Sequence, residues 1–447
     1  MTDVDLTQGA IISHVKRIAI PASVGMLFNT LFNVVDTYYA GKLSTDALAG
    51  MTISFPIFFI IIALSSGIGS GATALNAIAL GEKNKKYFHS LSYNAVFFGL
   101  FLAVLIALAS PLMVPFLFEL SGATGLSKAL GIQYTNVIFW GSIFFILNSV
   151  LNAMLNAQGD TKSYRNFLII GFFMNLILDP LFIFGWFGLP QLGTIGVALA
   201  TVIIQVFGTL YMLYRLNKSP TFELQAFKNA HFNLEVMFQL FKQGFPASLN
   251  MMTIALGVFV INFYVLKYAG SVTIAAYGAA MRVEQLILLP ALGLNIATLT
   301  IVGQNFGAKN FERIFETKQK TLRIGIGMMV FGALLIYPLA PHIISLFNND
   351  QAVIMAGTHY LRIEAFALPT YIILNILISA LQGIKKPNFA IYIGIYRQIF
   401  IPITLFYFLG TVLDMGITGV WWGIVLNNWS ATIIAYFYTK RVMKSLG

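Results

Sequence analysis

Four acidic residues interrupt long apolar runs in this chain, Asp36, Asp179, Glu284 and Glu364, out of 16 acids in all. An ionisable group inside such a run is costly to keep, so each is a candidate for function. Asp36 follows Asn29 and Asn33, and the i, i+4, i+7 spacing puts all three on one helical face. Asp179 follows Asn175 by one turn. Two helices that each bring an aspartate and amide oxygens to similar depth can surround a hard cation with oxygen ligands. They can equally hold a carboxyl pair that shares one proton, because like charges side by side disfavour double ionisation. A third use is a hydrogen-bonded clamp between helices. Glu284 lies two residues from Arg282, and Glu364 two residues from Arg362. That spacing puts the partners on different helix faces, so neither is a local salt bridge. Structural pairing is expected for Glu364, near the outer end of its run, while Glu284 stays open between structure and function.

Other chemistries find little support. With no cysteine there is no disulfide, thiol redox centre or thiolate metal site. The five histidines, His14, His89, His231, His342 and His359, lie far apart. No nucleophile is clustered with an acid–base partner, and no G-x-x-x-x-G-K-S/T phosphate loop occurs. The glycine-rich run Gly67-Ile68-Gly69-Ser70-Gly71 falls in an apolar segment, where small residues let helices approach closely. The chain is therefore not expected to be an enzyme, and no cofactor beyond a coupling ion is expected.

The elements that must position the acids follow from composition. Apolar residues make up 58% of the 447 positions and charged residues 10%, with a mean hydropathy of +0.81. Globular chains average about 25% charged residues, so this is a polytopic membrane protein. Runs of about 20 apolar residues predict twelve spans, in the windows 18–40, 54–80, 91–118, 130–157, 166–188, 194–214, 245–266, 274–304, 324–346, 353–382, 389–409 and 417–438. The first run lacks a small-residue cleavage site and reads as a span, not a signal peptide. With the N-terminus inside, 21 of the 27 Lys and Arg fall in inner segments and three (Lys42, Lys128, Lys267) in outer loops. This asymmetry puts both termini in the cytoplasm. The net charge of +11 then reflects topology and not a nucleic-acid partner.

The chain is also written twice. Pro21-Ala22-Ser23 recurs as Pro246-Ala247-Ser248, Gly81-Glu82-Lys83-Asn84 as Gly307-Ala308-Lys309-Asn310, and Gly131-x-x-Tyr134 as Gly357-x-x-Tyr360. Gln158-Gly159 matches Gln382-Gly383, Pro180 matches Pro402, and Gly193-x-x-Gly196-Val197 matches Gly416-x-x-Gly419-Val420. Six spans per repeat give two parallel lobes related by an axis along the membrane normal, a plan that frames a central cavity in secondary transporters. The expected domains are an N-lobe, residues 1–220 with spans one to six, and a C-lobe, residues 221–447. The C-lobe opens with an amphipathic linker helix on the inner leaflet, marked by Leu234, Met237, Phe238 and Phe241. In the repeat Asp36 maps onto Ile261, Asp179 onto Ile401 and Asn175 onto Arg397. The scaffold does not need these carboxylates, so ion coupling is expected in the N-lobe. Pro21 and Pro180 are expected to kink their helices. Asn148, Asn152 and Asn156 in span four, and Thr201 with Gln205 in span six, read first as interhelical hydrogen-bonding stripes.

These residues resemble a known family. Phe32-Asn33-Val34-Val35-Asp36-Thr37-Tyr38-Tyr39-Ala40-Gly41 looks like the first-helix motif of the multidrug and toxic compound extrusion (MATE) transporters. Asn175-x-x-x-Asp179-Pro180, Gln158-Gly159-Asp160-Thr161-Lys162 and Gly193-x-x-Gly196-Val197-Ala198-x-Ala200-Thr201 are similar too. The resemblance covers essentially the whole chain, and an acidic pair confined to the N-lobe looks like the bacterial DinF-type branch. It implies export of cationic and amphipathic compounds in exchange for inward H⁺ or Na⁺, in the bacterial inner membrane, by a protein that works as a monomer. Carried over, the coupling site falls on Asp36, Asn175 and Asp179, with Tyr134 and Thr201 in support; Asn33 and Glu284 are further candidates. H⁺ is favoured over Na⁺ because two adjacent carboxyls invite proton sharing. The rivals are a lipid-linked oligosaccharide flippase of the wider superfamily, which calls for a strongly basic cavity, and a membrane receptor without transport.

Overall fold

Within a bilayer, a helix satisfies its own backbone N–H and C=O groups without water. The computed structural model describes residues 5–446 and, among these, contains helices and turns but no strand. The helices are α1 (Ile11–Leu43), α2 (Thr45–Gly81), α3 (Lys85–Leu120), α4 (Gly125–Trp140), α5 (Ser142–Ala157), α6 (Lys162–Phe184), α7 (Thr194–Asn217), α8 (Leu224–Lys228), α9 (Leu234–Gly307), α10 (Phe311–Ser345), α11 (Gln351–Glu364), α12 (Leu368–Gly383), α13 (Phe389–Ile395), α14 (Ile401–Tyr407) and α15 (Gly416–Lys444). Seven of these, and the continuous helical stretch Phe389–Val412 that joins α13 and α14, are long and apolar enough to cross a bilayer, which makes eight, or ten with α4–α5 and α11–α12 each taken as one bent span. α9 counts once there but runs for 74 residues. At 1.5 Å per residue that is roughly 110 Å, against about 30 Å of hydrocarbon. It is interrupted at Gly270, whose φ of 71° and ψ of −166° suit glycine alone, and so supplies spans seven and eight. α15 completes the expected twelve.

The repeat is visible in backbone detail. Lys83 and Lys309 both adopt left-handed φ, 56° and 57°. Each is followed by an asparagine that caps the next helix, Asn84 accepting from the Tyr87 N–H at 3.0 Å and Asn310 from the Arg313 N–H at 3.3 Å. Gly193 and Gly416 share φ of 57° and 55°. The fourth span of each half is broken at its middle, by 45° between α4 and α5 and by 50° between α11 and α12.

The chain forms two compact units, and their borders differ from those expected at residue 220. Ile20–Ser248 belongs to the first, and Leu6–Ala19 with the residues from Leu249 onward to the second. The linker stays with the first unit because α3 holds it by polar contacts. The Glu223 N–H donates to His89 Nε2 at 2.9 Å, the Asn233 N–H to Asn94 Oδ1 at 2.8 Å, and the Tyr87 hydroxyl to Gln239 Oε1 at 2.6 Å. Only α8, five residues long, is a separate helix there. Leu234, Met237, Phe238 and Phe241 instead form the first turns of span seven, burying Val236 and Leu240 on the opposite face. In the second unit, the N-terminal segment is strapped by Arg313, which donates to the Gly9 carbonyl at 2.9 Å and the Leu6 carbonyl at 3.3 Å.

Candidate functional site

In the first unit, α6 and α7 come together closely. A Cβ on Gly171 would meet Ile204 at 3.0 Å, and one on Gly196 would meet the Phe182 carbonyl at 2.7 Å. Gly171, Asn175 and Asp179 form a buried stripe at i, i+4 spacing along α6. Against this stripe α1 presents Asp36, and α7 presents Thr201.

Asp36, Asn175, Asp179 and Thr201 are all buried, with Asn175 and Asp179 wholly so. Asn175 Nδ2 donates to Asp36 Oδ1 at 2.8 Å. The Thr201 hydroxyl lies 3.4 Å from Asp36 Oδ2 and 3.0 Å from the Val197 carbonyl. The carboxyls of Asp36 and Asp179 are within hydrogen-bonding reach of each other, a contact that bonds only if one of them carries a proton. Asp179 Oδ1, Asp179 Oδ2 and Asn175 Oδ1 receive no hydrogen bond from any protein donor. Buried acceptors left in this state are rare and costly. Pro180, which has no N–H, leaves the Leu176 carbonyl beside them without its helical donor. The site is rich in acceptors and short of protons, which is the chemistry of a receptor for H⁺ or a hard cation. Tyr134 is buried close to both aspartates.

Asn33 does not join this group. Its amide donates to the Asn29 carbonyl at 2.9 Å and both residues are exposed, although Ala22 and Gly25 before them and Asp36 after them on the same face of α1 are buried. Pro21 and Pro180 lie inside α1 and α6, each of which continues through its proline.

The second unit holds a buried acidic cluster that sequence spacing did not assemble. Glu284 from α9 and Glu364 at the end of α11 are both buried, and they meet Tyr277, Tyr360 and Tyr371. The Tyr371 hydroxyl donates to Glu364 Oε1 at 2.7 Å, while Glu284 Oε1 and Glu364 Oε2 have no donor. Arg397 lies in a π-helical turn, Tyr396–Phe400, with its guanidinium 5.7 Å from the Tyr371 ring. It donates to Asn428 Oδ1 at 3.1 Å, and Asn427 Nδ2 donates to its carbonyl at 2.7 Å. The nearby arginines take no part: Arg282 is exposed, and Arg362 donates to the Tyr337 carbonyl at 3.2 Å. A cavity of about 50 Å³ is lined by both Arg397 and Ile261, the repeat counterparts of Asn175 and Asp36. The repeat register was thus the one signal that pointed to Arg397.

Two repeats of long apolar helices with buried acids in each fit a membrane transporter. The MatE family model matches the chain twice, over residues 21–181 and 246–408, in step with the internal repeat. The chain belongs to this family, the MATE transporters. It is 27% identical over 433 residues to the probable multidrug resistance protein YoeA of Bacillus subtilis, covering 95% of this chain and 92% of that protein. It is 25% identical to the probable multidrug resistance protein NorM of Thermotoga maritima (92% and 88% covered) and 26% identical to an FAD transporter of Shewanella oneidensis (95% and 94%). The fold matches the outward-facing conformation of a multidrug resistance MATE family transporter with a TM-score of 0.92, at 25% identity over 100% of this chain and 99% of that one.

Proposed function

We propose that the chain exports cationic and amphipathic compounds by antiport, with inward H⁺ bound between Asp36 and Asp179 as the coupling ion. The observation that carries this reading is the set of three buried oxygens, on Asp179 and Asn175, that lie beside Asp36 without a donor. A proton arriving from outside turns the Asp36–Asp179 contact from repulsive to hydrogen-bonded. Asn175 and Thr201 position Asp36 beside Asp179, and the added Asp36–Asp179 bond draws α1 more tightly against α6 while the proton is present. Drug leaves from that state, and inward release of the proton resets the carrier. H⁺ is preferred to Na⁺ because the two carboxyls lie within hydrogen-bonding reach of each other and can share one proton. The twelve-span chain sits in the bacterial inner membrane with both termini cytoplasmic, following the charge asymmetry of its loops, and it acts as a monomer without catalysis. The multidrug names of its relatives support the substrate class.

The test is uptake of a fluorescent cationic dye into proteoliposomes under an imposed pH gradient or an imposed Na⁺ gradient. Uptake driven by the pH gradient alone is the expected result. Uptake driven only by Na⁺ would move the coupling ion, and uptake driven by neither would remove the antiport reading.

A further inference from the structure

Apart from the acidic sites, the first unit contains a cavity of small-molecule size. It measures about 520 Å³, within the range of small-molecule pockets, and its walls are largely apolar: Val96, Leu100, Leu151, Met154, Leu213 and Phe222 are among them. It opens to the surface through exposed Leu213, Tyr214 and Leu224. Its floor is the cytoplasmic end of α7 and the linker, at Asn217, Phe222 and Phe227. Along α7 its lining runs from Thr209 to Asn217, eight residues or roughly 12 Å at 1.5 Å per residue, against about 15 Å for half of the hydrocarbon core. The cavity therefore reaches through most of one leaflet.

The mouth is basic. Lys218 follows the lining residue Asn217 and its ammonium sits 4.5 Å from the centre of the lining Tyr214 ring. Lys228 follows the lining residue Phe227. The two acids nearby are already engaged, Asp160 by Arg215 at 3.9 Å and Glu223 by Lys85 at 3.8 Å. Among the described residues, Lys218 and Lys228 have no acidic partner. An apolar slot through most of a leaflet under two unpaired ammonium groups repels an amphipathic cation and suits an amphipathic anion.

We propose that this cavity binds one acyl chain of an anionic phospholipid of the inner leaflet, with Lys218 and Lys228 holding its phosphate headgroup. The proposal rests on the cytoplasmic placement of this end of the chain, but not on antiport. Basic residues beside an anionic membrane surface attract such headgroups individually, and the slot adds a fixed position for the tail.

The test is native mass spectrometry of the purified full-length protein, with phosphatidylglycerol or phosphatidylcholine of the same chains added in detergent. The parent should retain phosphatidylglycerol preferentially. Lys218→Glu/Lys228→Glu should reduce that retention by at least roughly 30-fold, the factor that loss of two juxtamembrane attractions alone gives. Leu213→Trp, which fills the slot from its exposed wall, should abolish it without touching the core. Lys385→Glu/Lys386→Glu, a reversal of two other inner-side lysines, should leave it unchanged. Equal retention of both lipids would overturn the proposal, as would equal losses in the two charge-reversed pairs or retention that survives Leu213→Trp. So would a fluorescent amphipathic cation whose binding is lost in Leu213→Trp. A protein that keeps phosphatidylglycerol but fails to couple transport to an ion would refute the antiport reading and leave this one standing.

Discussion

Asp179→Asn should make the protein more stable and at the same time disconnect transport from its ion. Asp179 is wholly buried, and neither carboxyl oxygen has a protein donor. The substitution exchanges one orphaned oxygen for an N–H with the Asp36 carboxyl in reach. A hydrogen bond to a charged group contributes about 1.5–3 kcal/mol, and loss of a like-charge contact acts in the same direction. A gain of about 2 kcal/mol is therefore expected, at a pH alkaline enough to strip any shared proton. In detergent this appears as a rise of a few degrees in unfolding temperature over the parent in identical buffer. Asparagine cannot take up and release the coupling charge, so dye accumulation under an ion gradient should fall to its gradient-independent level. A variant that unfolds earlier than the parent and still accumulates dye with the gradient would refute both halves of the reasoning.

Three further outcomes follow from the same geometry. Gly196→Ala and Gly419→Ala would each drive a Cβ to 2.7 Å from backbone, at Phe182 and Leu409. Each should cost about 1–3 kcal/mol, read as lower unfolding temperatures, with both repeats affected alike. Arg397→Gln would remove the guanidinium that donates to Asn428 and whose charge offsets that of Glu364, at a cost of about 1–3 kcal/mol. Adding Glu364→Gln should restore much of that loss, and a double-mutant cycle in detergent would show the coupling. Gly270→Ala forces a side chain into φ of 71° and ψ of −166°, a strain of about 1–3 kcal/mol, again visible as a lower unfolding temperature.

Local chemistry and periodicity made much of the fold legible. The Lys-Asn turns at 83–84 and 309–310, the repeated glycines and the apolar runs each encode their conformation within a few residues, so the spans and the duplication could be read directly. The meeting of Asp36 with Asn175 and Asp179 was legible because both spans run in the same sense and carry their acids at one depth. Asn33 shared the face of Asp36 but not its burial, since spacing gives a face and not the point where neighbouring helices cover it. The Glu284–Glu364–Arg397 cluster was hidden for a different reason. Its members come from α9, α11 and a π turn, and only tertiary packing brings them together. The helix that opens at Leu234 continues without a break into the next apolar run, and its outward Leu234, Phe238 and Phe241 form the same apolar stripe that a leaflet surface or a bilayer would demand.

The central claim is that the Asp36–Asp179 pair holds the ion that a transported cation displaces. Titrating a cationic dye into the detergent-solubilised protein in weakly buffered, Na⁺-free solution, while recording pH, tests this most directly. The account predicts release of about one proton per dye bound by the parent, from one shared site, and none by Asp179→Asn at equal dye occupancy. Proton release that persists in Asp179→Asn, or dye binding by the parent with no proton released, would contradict it.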